Sequence, residues 1–136
     1  MLRQRASRKA AAAVELALLL PIIMFLFVAA LDYGRISYYS QILANCARSG
    51  ALYASDPYAP TAARYRSVAE AALAEATDLT PKPTITWYYE PGSNGRTYVV
   101  VTAAWTFQTL ISYPGIPHTV ALQRIVRMPL APAAPQ

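Results

Sequence analysis

Between Lys9 and Asp32 the chain reads AAAAVELALLLPIIMFLFVAAL, an apolar run broken by one charge, Glu15. As a helix rising about 1.5 Å per residue, this run spans roughly 33 Å. That matches the hydrocarbon core of a bilayer, about 30 Å thick. The run therefore reads as a membrane-spanning helix, and the chain of 136 residues leaves room for one small domain beside it. Arg3, Arg5, Arg8 and Lys9 precede the run with no acid among them, whereas the rest of the chain is close to balanced. The formal net charge of +5 is thus read as a topology signal rather than a nucleic-acid footprint. These four cations hold the N-terminus in the cytoplasm, and the remainder lies across the membrane.

Three readings of the run compete. A secretory signal peptide fits the basic start, but the apolar stretch is long and "VAALDYG" offers only a weak cleavage site. An uncleaved signal anchor fits the length. The third reading must account for Glu15. A carboxylate at the bilayer centre costs a few kcal/mol, and one near an end can snorkel to the surface. Alternatively it has a cationic partner inside a helix bundle, where a carboxylate and an ammonium set register between helices. Pro21, six residues on, removes one helical hydrogen bond and is expected to kink the helix.

Beyond Leu31 the helical pattern continues to about Ser55. Ile36, Tyr39, Leu43, Cys46, Ala47 and Gly50 form a stripe whose far end is small, so another element must approach closely there. "SDPYAP" at 55–60 stops the helix. A second helix is expected over 61–77, with Tyr65, Val68, Ala69, Ala72, Leu73 and Ala76 as its packing face. From Pro83 the period changes to two. "TITWYYE" is a strand, "PGSNGR" a turn, and "TYVVVTAAWTF" the clearest strand. Val99, Val101, Ala103, Trp105 and Phe107 point one way, and Val99, Val101, Trp105 and Phe107 are the expected core. "SYPGIPH" is a loop and "TVALQRIVR" a third strand. The fold class is α+β: a long N-terminal helix whose first half is transmembrane, a short second helix, and a three-stranded antiparallel meander packed on the helices. The expected divisions are a basic cytoplasmic leader at 1–10, the transmembrane part at 11–31, an extracytoplasmic α+β domain at 32–130, and a Pro/Ala tail at 131–136 that should be poorly ordered.

The second sheet face, with Tyr88, Tyr98, Val100 and Ala104, is not very polar, and ten tyrosines are many for this length. Such a face reads either as a surface that tolerates Tyr or as a contact for another subunit. The single cysteine, Cys46, allows no intrachain disulfide and reads as a packed thiol. One Cys and one His cannot build the usual metal sites. No phosphate-cradling loop or nucleophile motif is present. No catalytic residue, cofactor, nucleic acid or small-molecule substrate is therefore expected, and the chain does not read as an enzyme.

A basic leader, a small residue, and a Glu five places further on at the head of an apolar helix resembles the type IV prepilin pattern. "AAAAVELALLLP", followed by "DYGR" and "ANCARSGALYA", resembles the TadE-like family, pseudopilin-like proteins of the tight-adherence (Flp) pilus apparatus. "TYVVVTAAWTF…LI" and "HTVALQRIVRM" look like that family's closing strands. The resemblance implies cleavage by the prepilin peptidase between Ala10 and Ala11, which makes Glu15 the fifth residue of the mature chain and its partner the freed amine of a neighbouring subunit. Ala10 stands where the pattern has Gly, and Leu16 where an aromatic is common. Pilin-like helices often carry a proline near the depth of Pro21. The implied role is that of a minor pilin or pseudopilin in the bacterial inner membrane, single-pass, supporting pilus assembly or entering the pilus. Its partners would be lipid, other pilin-like subunits and the assembly machinery. The rival reading is an uncleaved anchor that holds an extracytoplasmic binding module for some envelope partner.

Overall fold

A computed structural model of the chain describes residues 2–62, 64–110 and 117–132, with side chains before Ala10 outside that description. Helix α1 (Leu2–Ser55) is continuous through Pro21. A 3-10 turn (Ala59–Ala62), helix α2 (Val68–Leu73) and strands β1 (Thr84–Pro91), β2 (Thr97–Gln108) and β3 (Thr119–Pro129) follow. The strands form one antiparallel sheet in the order β1-β2-β3, and both helices pack on it. This is the α+β arrangement read from the sequence.

The outer half of α1 supplies the centre of the core. Leu43, Cys46, Ala47 and Ala51 are fully buried, against Val99, Val101, Ala103 and Phe107 of β2 and Ala72 and Ala76 beyond. The small residues of the stripe explain the closeness. A Cβ added at Gly50 would lie 3.2 Å from Ala72 Cβ, 3.2 Å from Val101 Cγ1 and 3.5 Å from Val68 Cγ1. Gly50 is thus where α1, α2 and β2 meet.

Helix α2 is shorter than the expected 61–77, for local reasons. Ser67 is extended (φ −155°, ψ 161°), and its Oγ accepts the Glu70 N–H while Glu70 Oε2 accepts the Arg66 N–H. This reciprocal cap fixes the start at Val68. After Leu73 the bonds tighten to the three-residue type, Glu75 N to Ala72 O, Ala76 N to Leu73 O and Leu79 N to Ala76 O. Lys82 Nζ then donates to the carbonyls of Ala76 and Thr77. Ala71, absent from the expected face, is buried, whereas Tyr65, Ala69 and Leu73 are half-buried.

The β1–β2 turn closes through Gly92 N to Arg96 O, with Gly95 at φ +75°, a conformation that favours glycine. At the other end of the sheet, Thr109 N and Oγ1 both donate to His118 O. Most of the expected loop "SYPGIPH", from residue 112 to 116, lies outside the described residues.

One core expectation needs correction. Val99, Val101 and Phe107 are fully buried, but Trp105 lies only partly buried at the rim. Its ring packs 5.0 Å from that of Tyr39, and its Nε1 donates to Pro81 O at 2.8 Å. The indole thus satisfies its N–H outside the apolar centre. Conversely, Val100 on the opposite face is only 5% exposed. The register sets Tyr88 and Arg127 on either side of it. The Arg127 guanidinium lies 3.7 Å from the centroid of the Tyr98 ring, and its Nε donates to Glu90. That cover leaves Tyr88 and Ile125 as the large apolar side chains exposed on this face. Of the tail, Ala131 N donates to Ser55 O, while residues 133–136 lie outside the described residues.

Candidate functional site, the apolar helix and its junction with the domain

No residue from 10 to 31 is buried. By length and composition the helix is apolar enough near its start to cross a membrane, and Leu18, Leu20, Ile23, Leu26 and Phe27 are each at least half exposed. A helix apolar all round, with no buried residue over the length of a bilayer, is a candidate membrane anchor. Length and composition select it, and the domain's core is complete without it.

Along this helix Ala10, Ala11, Glu15 and Pro21 are all exposed. The α1 backbone runs through Arg3, Arg5, Arg8 and Lys9, whose side chains fall outside the described residues. Ala11 to Glu15 is one helical turn, about 6 Å along the axis. A carboxylate there reaches the level of an amine at position 11 on a neighbouring helix set in register. Among the described residues, none forms an ion pair or hydrogen bond with the exposed Glu15 carboxylate.

Where the apolar run ends, the structure shows a clasp to which sequence reasoning assigns no role. The Asp32 carboxylate accepts the Leu110 N–H through both oxygens, at 3.0 and 3.2 Å, and the Arg35 guanidinium at 2.9 Å. Arg35 also lies 4.8 Å from the centroid of the Phe107 ring. Asp32 thus ties the chain just after the Gln108 end of β2 to the point where the helix leaves its apolar stretch. The available signal was an acid directly after the apolar run with an Arg three residues on, the spacing of a helical ion pair. The partner backbone, 78 positions away, carries no such signal.

The remaining concavities are open. A cleft of about 440 Å³ at the far end is lined by residues including Tyr53, Pro57, Tyr89 and Leu130. Among the described residues, no three His, Cys, Asp or Glu side chains are grouped to hold a metal ion.

No curated protein and no solved structure matches the chain. A family model does match, over a stretch that begins at the expected cleavage position and ends within the outer half of α1, so that the three strands lie outside it. Residues 10–52 are similar to the family described as TadE-like protein, and the rest of the chain lies outside that similarity.

Proposed function

We propose that the protein is a membrane-anchored minor pilin or pseudopilin that supports assembly of a tight-adherence pilus. The TadE-like match connects the chain with the Tad pilus apparatus in general. The observation that carries the finer reading is the contrast within α1. Its outer half is consumed by the domain core, while its inner half has no buried residue and exposes apolar side chains such as Leu18, Ile23 and Leu26 together with one carboxylate. In this reading the chain associates with other pilin-like chains by packing of this helix against theirs.

In this reading the leader cations keep the N-terminus inside, and the α+β domain stands in the periplasm. The prepilin peptidase cuts between Ala10 and Ala11. Glu15 pairs with the freed amine of an adjacent subunit and sets the register between helices. Pro21 leaves one helical carbonyl open and makes the inner half easier to bend during assembly. The role is structural, with no catalytic step.

The test is Glu15→Gln, which removes the charge and keeps the size. Under pairing, the anchor still inserts but co-purification with pilus subunits falls and surface pili are lost. An uncompensated buried amine costs about 3–5 kcal/mol. Equal co-purification and equal pili at equal expression would leave Glu15 as an ordinary interfacial residue.

A further inference from the structure

We propose that the domain makes a second contact with the membrane, through the end of β2 at Leu110, whose side chain enters the lipid headgroup layer beside the emerging helix. This rests on the reading of residues 10–31 as a membrane anchor.

Asp32 is the first charged residue after the apolar run, so it marks the level at which α1 leaves the hydrocarbon. An aspartate side chain is short. With both carboxylate oxygens on the Leu110 N–H, the Leu110 backbone is held at that same level. The Leu110 side chain is nonetheless 55% exposed, next to a helix on which Leu31 is 45% and Tyr33 74% exposed. Two leucines and a tyrosine at one height compose a surface suited to the boundary between acyl chains and headgroups, where Tyr is favoured.

The Asp32 carboxylate and the Leu110 N–H are already matched. The Asp32 charge faces Arg35, and the Leu110 N–H, which has no strand partner, is satisfied by Asp32. Seating this pair in the interface therefore leaves neither the Asp32 charge bare nor the Leu110 N–H an orphan donor. The connection is also stiff. α1 passes from residue 31 into the core without a break, and Arg35 lies against Phe107. The domain is thus held upright, with the Gly92–Gly95 turn at its far end and the Leu110 end on the lipid.

The test uses the full chain in a Cys46→Ala background, reconstituted in vesicles of phosphatidylcholine and phosphatidylglycerol. An environment-sensitive fluorophore is placed in turn at Met24→Cys, Leu110→Cys and Ser93→Cys, and quenching by nitroxide-bearing lipids is read. The expected result is strong quenching at 24, clear quenching at 110 by headgroup-level nitroxide, and none at 93. Adding Asp32→Ala should abolish most of the quenching at 110 and spare that at 24. Asp32→Asn, which keeps an oxygen acceptor for the Leu110 N–H, should retain it. Quenching at 24 with none at 110 overturns the second contact and leaves the anchor standing. Absence of quenching at 24 overturns the anchor reading, and the second contact with it. Unchanged quenching at 110 in Asp32→Ala overturns the clasp as its cause.

Discussion

Gly50→Ala tests the packing of α1 against the sheet because two known effects oppose each other there. In a helix, Ala is favoured over Gly by about 1 kcal/mol. The same substitution at Gly34, where an added Cβ meets nothing within 4 Å, should show that gain undiminished. At Gly50 the new methyl would stand 3.2 Å from both Ala72 Cβ and Val101 Cγ1. Ala72 has no side-chain torsion with which to yield, and a strand valine is stiff at χ1. The elements must move apart, and overpacking of this kind costs about 1–3 kcal/mol. Taking about 2 kcal/mol for the clash leaves a net loss near 1 kcal/mol, or roughly 4–8 °C in Tm for a domain of this size. Gly50→Val adds two further methyls and should cost several degrees more. The assay is thermal unfolding of the full chain in micelles, followed by tryptophan fluorescence, with Gly34→Ala as the paired control. If Gly50→Ala stabilises as much as Gly34→Ala, the close approach of the three elements is refuted.

Phe107→Ala should cost about 3–5 kcal/mol by emptying a fully buried site, whereas Trp105→Ala, whose ring is already partly in water, should cost nearer 2 kcal/mol. Chemical denaturation of both variants checks the order, and equal losses would return Trp105 to the core. Burial, and then the nearby Glu75 carboxylate, push the Cys46 thiol above its ordinary value. Alkylation of Cys46 by iodoacetamide should therefore follow the unfolded fraction, and fast labelling of the native protein would contradict its burial. The unfolded thiol ionises near pH 8.5 and the folded one higher. This contribution to stability is thus complete below about pH 8.5 and is lost as pH rises through the folded value. Cys46→Ala should flatten the decline in stability over that alkaline range.

Much of this fold was legible because its periodicities are clean. The stripe from Ile36 to Gly50 recurs at three and four, and β2 alternates from Val99 to Phe107, so element type and facing followed directly. The second helix was read too long because an alanine-rich run such as AEAALAEAT favours helix throughout. Its ends were set instead by the Ser67–Glu70 cap and by Lys82, contacts that a propensity reading does not weigh. Trp105 was assigned inward by alternation, which gives the face of a strand but not how far the covering helix extends over it. The Asp32 clasp was missed because hydrogen bonds from a carboxylate to a remote backbone N–H depend on topology and leave no pattern in the sequence. At the apolar helix the position was reversed. Glu15, Pro21 and the Ala10–Ala11 bond are all marked by their places in the run, and the structure adds chiefly that these residues are exposed.

The central claim is that α1 is a processed, pilin-like assembly helix, and the state of the Ala10–Ala11 bond tests it most directly. Membranes from cells with an active prepilin peptidase would be treated to block free amines before digestion, and the N-terminal peptides identified by mass spectrometry. The expected result is a blocked peptide that begins at Ala11, absent when the peptidase is deleted. Peptides that run unbroken from Lys9 through Ala10 and Ala11 in peptidase-positive cells, with no peptide blocked at Ala11, would contradict it and favour the uncleaved anchor.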